Sequence, residues 1–320
     1  MMSRNFNLGS RDMSRAGEKA LKRAAEVGAV SYSTAATHSQ GWRSFVSWLC
    51  DEDCAIKKME RIEFEHLRVW GESLQERVER CNLSPAKAQN YVSAVNTVMR
   101  LATGGQWKSV RPTKDCGISP RSGIATRSRA LPKSEYERLC ATVSSRLAAL
   151  MCLQRELGLR FKESALLNAK AALAEAIISG RVSIDDGTKG GRPRFVPVSS
   201  AAIAALERAA AIQGGRDRSM IPRALRYAEF QSACYRELTA AGGHGFHDER
   251  HAYAQERYQQ LVGAPAPVAA GWSRLERFTR LAAAIAVCES EAREIDDQAR
   301  LRVAEELGHS RLEVTNAYLG

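Results

Sequence analysis

Residues 181–199, RVSIDDGTKGGRPRFVPVS, are the place where the periodicity of the chain changes. Two short β-prone runs, Val182–Ile184 and Phe195–Val198, flank a polar, glycine-rich turn, which is the pattern of a β-hairpin. On both sides apolar residues recur every three or four positions, the period of helices that bury one face. The expected fold is therefore mainly α with a small antiparallel β-sheet. Immediately upstream, residues 130–169 (ALPKSEYERLCATVSSRLAALMCLQRELGLRFKESALLNA) read as helical, with Ser134 as a cap and Glu137 completing a capping box. Downstream of the hairpin, helices resume to the end.

Further toward the N-terminus the charge distribution divides the chain. Lys and Arg number 47 against 36 Asp and Glu, a net of +11. Residues 1–106 carry a net of +3 and residues 134–320 a net of +2, whereas residues 107–133 alone carry +6. That short stretch also holds Pro112, Pro120, Pro132, Gly117 and Gly123, so it reads as a basic interdomain linker between an N-terminal domain (1–106) and a second domain (134–320). Its cations Lys108, Arg111, Lys114, Arg121, Arg127, Arg129 and Lys133 suit either a solvated hinge or a strap along a polyanion, each cation displacing a counterion. Before the linker, helices are expected in residues 34–50, with Ser33 or Thr34 as cap and Trp42, Phe45, Val46 and Leu49 on one face, and in residues 63–80. A third spans residues 84–103, with Ser84 as cap, Pro85 in its first turn and Tyr91, Val95, Val98 and Leu101 as a core stripe. A basic amphipathic segment lies in residues 14–28.

Composition sets bounds on function. The chain is 44% hydrophobic and 26% charged over 320 residues, enough to fill a core in each of two domains. The longest apolar stretch, Leu281–Cys288, is far short of a membrane span, and no apolar signal core opens the chain. A soluble, unsecreted, cytoplasmic protein is expected, with no membrane partner. None of the eight cysteines forms a CxxC pair, and Cys50 and Cys54 have no second pair at zinc-ligand spacing, so reduced cysteines and no metal are expected. Asp and Glu are scattered rather than clustered, which argues against a metal-dependent nuclease.

The second domain carries basic and imidazole residues in four ordered places: Arg160 in GLRFKE, Lys189 in the hairpin turn, His247 and Arg250 in HDERH, and His309 in LGHSR, with Tyr318 nine residues later. Together these boxes resemble the tyrosine recombinase (phage integrase) family, and the resemblance covers most of the chain. The N-terminal segments WRSFVSWL and SPAKAQNYVSAVNTVM are similar to the family's helical, SAM-like core-binding domain. What the resemblance implies is a SAM-like domain followed by a tyrosine-recombinase catalytic domain, and site-specific cutting and rejoining of DNA without metal, ATP or other cofactor. By it, Tyr318 attacks the scissile phosphate to give a 3′-phosphotyrosyl enzyme, Arg160 and Arg250 clamp the non-bridging oxygens, and Lys189 protonates the leaving 5′-oxygen. His247 assists the tyrosine proton, His309 donates a hydrogen bond to phosphate, and Glu163 and His251 support the site. A tyrosine hydroxyl suits a covalent carrier, and planar guanidinium groups suit a phosphate clamp. Arg192 and Arg194, close to Lys189, are too weakly acidic to replace it. His244 has no family counterpart and reads as a loop histidine.

Two features depart from the family outline. The interval from His247 to His309 is 62 residues, longer than usual, with the added material at about 259–298: a Pro-rich turn and then an amphipathic segment bearing Trp272, Leu275, Phe278 and Leu281. It fits a subunit contact or extra core better than a DNA contact. The sequence also stops two residues after Tyr318, where many members continue into a helix that couples subunits. Coupling is then expected elsewhere, or in a longer chain. The partners implied are double-stranded DNA with specific recombination sites, a homotetramer on DNA that is monomeric or weakly associated when free, and an accessory DNA-bending protein, in the bacterial nucleoid. Integration or excision of a mobile genetic element is the preferred role. Dimer resolution, inversion, a non-catalytic DNA-binding scaffold and a type IB topoisomerase-like enzyme are the alternatives.

Overall fold

A computed structural model describes residues 4–51 and 56–320. Cys54 lies outside the described residues, and so does any pairing of it with Cys50. The chain divides into two compact units, residues 1–122 and 123–320, inside the stretch read as a linker.

The first unit is helical: α1 (Met13–Glu26), α2 (Tyr32–Asp51), α3 (Phe64–Glu79), α4 (Pro85–Ala102) and the single turn α5 (Pro112–Asp115), with 3-10 turns at Asn5–Asn7 and Met59–Arg61. Ser84 caps α4 through a hydrogen bond from the Lys87 amide, with Pro85 in the first turn as its fixed φ favours. The cap of α2 is Ser31, whose hydroxyl accepts from the Thr34 amide at 3.0 Å, rather than Ser33 or Thr34, because the helix begins at Tyr32. Trp42 is wholly buried, and its indole N–H is satisfied by the Met13 and Ser14 carbonyls. The ring lies so close to Gly17 that a Cβ there would fall 2.2 Å from the indole nitrogen, so only glycine permits this crossing of α1 and α2. Phe45, Leu67, Leu74, Val92, Val95 and Val98 complete a core in which each side chain contributes about 1.5–3 kcal/mol by leaving water. Residues 107–122 are packed on this unit rather than extended in solvent. Val110, Cys116 and Ile118 are buried, and the Asn96 amide donates to the Val110 carbonyl at 2.7 Å.

The second unit holds α6 (Lys133–Thr142), α7 (Ser145–Leu157), α8 (Phe161–Leu166), α9 (Ala169–Ser179), α10 (Ser200–Ile212), α11 (Tyr227–Ala240), α12 (His247–Val262), α13 (Pro267–Ala270), α14 (Arg277–Ile285), α15 (Glu289–Glu306) and α16 (Asn316–Leu319), with a 3-10 turn at Leu312–Thr315. Its strands β1 (Arg181–Ile184) and β2 (Arg194–Pro197) pair antiparallel, Val182 opposite Val196. The fold is thus mainly helical with a two-stranded antiparallel sheet. The α6 cap differs from the sequence expectation. Pro132, with φ −55°, occupies the N-cap and makes no side-chain bond, so Ser134 falls inside the first turn and no capping box forms. The stretch 259–298 supplies the end of α12, α13, α14 and the first half of α15, and places Leu281, Ala282 and Ala292 in the core.

Candidate active site

Helix α12 carries three of the candidate residues on one face. His247, Arg250 and His251 are separated by three and four positions, the spacing that aligns side chains on a helix. The start of α12 is fixed by Phe246, which stacks on Phe161 with centroids 4.5 Å apart, while Tyr235 of α11 meets Phe246 edge-on at 4.8 Å. Phe161 directly follows Arg160, so this aromatic contact holds the two arginine-bearing segments together.

Arg250 is fully buried, and helix ends satisfy its charge. One terminal nitrogen donates to the Gly158 carbonyl just past α7 and the other to the Leu307 carbonyl just past α15. Such terminal carbonyls lack intrahelical partners and carry partial negative charge. Gly158 has φ +60°, and a Cβ on it would lie 2.5 Å from the Tyr253 ring, so the turn that aims this carbonyl requires glycine. Burial pulls the Arg250 guanidinium down to about 10, which leaves it charged at neutral pH.

Glu163 joins the arginines. Its carboxylate accepts from the Arg160 backbone amide at 2.7 Å and from the Arg160 guanidinium at 2.6 Å, takes two bonds from Arg194 at 3.0 and 2.7 Å, and lies 3.7 Å from Arg250. Burial alone would raise this carboxyl, but Arg194, the Arg160 amide and Arg250 outweigh it and hold the group at about 2. Although only three positions apart, Arg160 and Glu163 do not share a helix face. Arg160 is the N-cap residue of α8, and Glu163 reaches back to cap it.

Tyr318 is buried, with its hydroxyl 3.1 Å from His247 Nε2 and accepting from Arg250 Nε at 3.4 Å. The His251 ring lies 4.6 Å from the Tyr318 ring and the His309 ring 5.4 Å from it. Burial first, then charge repulsion from neighbours that include Arg250, depresses the three imidazoles. His247 and His251 fall to about 4 and His309 to about 3, so all are neutral near pH 7. His247 Nε2 is then free to accept the tyrosine proton in the Nδ1–H tautomer. His309 Nε2 faces Arg250 Nη2 at 3.3 Å, which assigns the hydrogen to Nδ1, a buried atom with no hydrogen-bond partner.

The structure therefore brings together Arg160, Glu163, His247, Arg250, His251, His309 and Tyr318. Lys189 stands apart on the exposed turn between β1 and β2. Of the linker cations, Arg111 pairs with Asp115 at 3.1 Å, Arg121 binds Gln89 and Asn90 at 2.8 and 2.6 Å, Arg129 pairs with Asp248 at 3.6 Å, and Lys108 lies over the Phe64 ring at 5.0 Å. Lys114 and Arg127 are exposed. Sequence reasoning missed Arg194 as a partner of Glu163, although its alternation with Val196 on the inward face of β2 was a readable signal. It also missed a basic surface loop in which exposed Arg216, Arg218 and Arg223 line a recess of about 680 Å³. Among the described residues no group of three His, Cys, Asp or Glu could hold a metal ion, and no helix is long and apolar enough to cross a membrane.

Residues 117–256 match the family described as Integrase. The XerH site-specific recombinase, in a post-cleavage complex with a palindromic difH substrate, superposes over 96% of this chain and 81% of its own, with TM-score 0.55 and 18% identity. The Tn1549 transposon integrase bound to transposon right-end DNA matches over 95% of both chains, with TM-score 0.55 and 11% identity. A lambda integrase dimer bound to a COC′ core site matches over 87% of this chain and 76% of its own, with TM-score 0.50 and 15% identity. No curated protein matches in sequence. The fold is that of the tyrosine recombinases. Over residues 117–256, somewhat under half of its length, the chain is similar to the integrase family.

Proposed function

We propose that this protein cuts and rejoins duplex DNA at specific sites through a transient 3′-phosphotyrosyl intermediate. The observation that carries the reading is the Tyr318 hydroxyl lying between a neutral His247 and the charged Arg250. In the reaction the Tyr318 oxygen forms a bond to phosphorus, its proton passes to His247 Nε2, and the bond from phosphorus to the 5′-oxygen breaks. Arg160 and Arg250 face the charge that gathers on the non-bridging oxygens, where preorganised donors act most strongly. His309, with Nε2 3.3 Å from Arg250 Nη2, stands beside the same clamp. Lys189, carried on the exposed hairpin turn, gives its proton to the departing 5′-oxygen, and rejoining runs the same transfers in reverse.

DNA is the macromolecular substrate, and linker cations together with the Arg216–Arg223 loop bind its backbone. Four copies assemble on two duplexes, with an accessory bending protein where the site architecture demands one, and the reaction integrates or excises a mobile element. The test is a nicked suicide DNA substrate built from candidate element ends, incubated in EDTA with wild type and Tyr318→Phe. A denaturant-resistant protein–DNA adduct with wild type alone is expected. Tight binding without any adduct favours a non-catalytic DNA-binding protein on the same scaffold.

A further inference from the structure

We propose that Arg300 is a positioning residue for Tyr318, holding the short segment that presents the nucleophile from both sides. The inference rests on the tyrosine-transesterification reading above.

Tyr318 sits in α16, a single turn of four residues. A helix that short cannot hold itself, because fixing its first turn costs more than its few internal hydrogen bonds return. The position of the phenol is therefore set by whatever grips the segment from outside. Arg300, on α15 and only 2% exposed, supplies two of the grips with one rigid group. Its Nη1 donates to Asn316 Oδ1 at 3.0 Å and its Nη2 to the Gly320 carbonyl at 2.8 Å, bracketing Tyr318 two residues before and two after. The third donor, Nε, binds Asp296 Oδ2 at 2.7 Å, and Asp296 Oδ1 accepts from the Tyr258 hydroxyl of α12 at 2.6 Å. The planar guanidinium fixes the angle between its donors, so the ends of α16 are held at a set separation, which a lysine cannot reproduce.

Stability alone does not account for such a group. Removing a charge pair from water costs several kcal/mol per ion, and well-packed apolar side chains often serve a core as well or better. Here Asp296 and Arg300 are both almost fully buried, and each terminal nitrogen of the arginine donates to the backbone or side chain flanking Tyr318. Two other contacts grip the same segment: Gln255 donates to the Tyr318 carbonyl at 3.0 Å and the Ala125 amide to the Asn316 carbonyl at 2.8 Å. Each of these holds the backbone at one point, whereas Arg300 holds the segment at two.

The experiment compares wild type, Arg300→Lys, Arg300→Gln and Lys189→Ala in three measurements. These are DNA affinity, the single-turnover rate of adduct formation on the suicide substrate, and amide hydrogen exchange resolved for residues 312–320. Both arginine variants are expected to bind DNA within twofold of wild type and to form adduct on the order of 10²-fold more slowly, the loss typical of a misplaced reacting group. Exchange should rise at least tenfold in residues 312–320 while α7 and α12 stay protected. A substrate with sulfur at the 5′-bridging position needs no protonated leaving group. It should relieve Lys189→Ala and leave the Arg300 defect unchanged, because nucleophile placement is what those variants lose. An unchanged adduct rate, a defect relieved by sulfur, or exchange that rises across the whole second unit would each overturn the proposal. If wild type and Tyr318→Phe prove equally inert, the transesterification reading fails, and the exchange measurement still decides whether Arg300 holds the segment.

Discussion

Replacing Glu163 with glutamine removes one negative charge from a site where three guanidinium groups converge, and the cost can be worked out from the geometry. The carboxylate is 1% exposed, binds Arg194 twice and Arg160 twice, and lies 3.7 Å from Arg250. A carboxyl held at about 2 when folded, against a reference of 4.5, contributes about 3.4 kcal/mol at pH 7. Removing one partner of a buried ion pair costs about 3–5 kcal/mol by a separate route, so the two figures agree. For a unit of this size that is a fall of about 7–14 °C in denaturation midpoint. The sign with pH follows from the folded value lying below the unfolded one. The stabilisation is complete above about pH 4.5 and is lost as the pH falls toward 2, so at pH 3.5 the gap between wild type and Glu163→Gln should have shrunk to about 2 kcal/mol. Urea denaturation at both pH values measures it. A gap below 1 kcal/mol at neutral pH, or one that does not narrow with acid, would refute the idea of a single carboxylate organising the arginines.

Other outcomes follow from the same structure. The three histidines around Tyr318, of which only His251 is buried outright, have folded values of about 4, 4 and 3, below their reference of 6.5. Stability from keeping them neutral is therefore present above pH 6.5 and declines as the pH falls from there toward 4; a denaturation midpoint flat between pH 7 and 5 would contradict this. Gly158→Ala should destabilise by at least ~1–2 kcal/mol from its φ of +60° alone, with a further cost from the Tyr253 ring, as measured by thermal melting. Replacing Arg216, Arg218 and Arg223 with alanine should flatten the dependence of log affinity on log salt by about 0.9 for each phosphate these arginines neutralise, and an unchanged slope would remove this loop from the DNA-binding surface.

Much of this architecture was legible because local rules and tertiary structure agree. The hairpin at 181–199 broke a helical period, and Ser84 with Pro85 marked the start of α4. Three of the four boxes hold the residues that meet around Tyr318, without showing how they do so, and the fourth, the hairpin turn with Lys189, stands apart. Arg160 and Glu163 have the three-residue spacing of helix neighbours, whereas the chain leaves α7 at Gly158 and re-enters a helix only at Phe161, so their contact is a cap. Arg194 obeyed the strand alternation, yet its charge suggested solvent, and only the fold reveals the buried carboxylate that receives it. Asp296 and Arg300 stand four apart on α15, a spacing that solvent-facing ion pairs share. Their burial depends on where α12 and α16 pack, which lies outside any local pattern.

Helix α12 has no proline or glycine from His247 to Val262, so nothing in its sequence invites a kink. Along it His247 and Arg250 meet the Tyr318 hydroxyl, His251 packs on the ring, Gln255 holds the Tyr318 carbonyl, and Tyr258 holds the aspartate that anchors Arg300. The proposed proton acceptor, charge clamp and nucleophile are thus measured from a single ruler. The separations among these groups are therefore set by one straight element rather than by several loops.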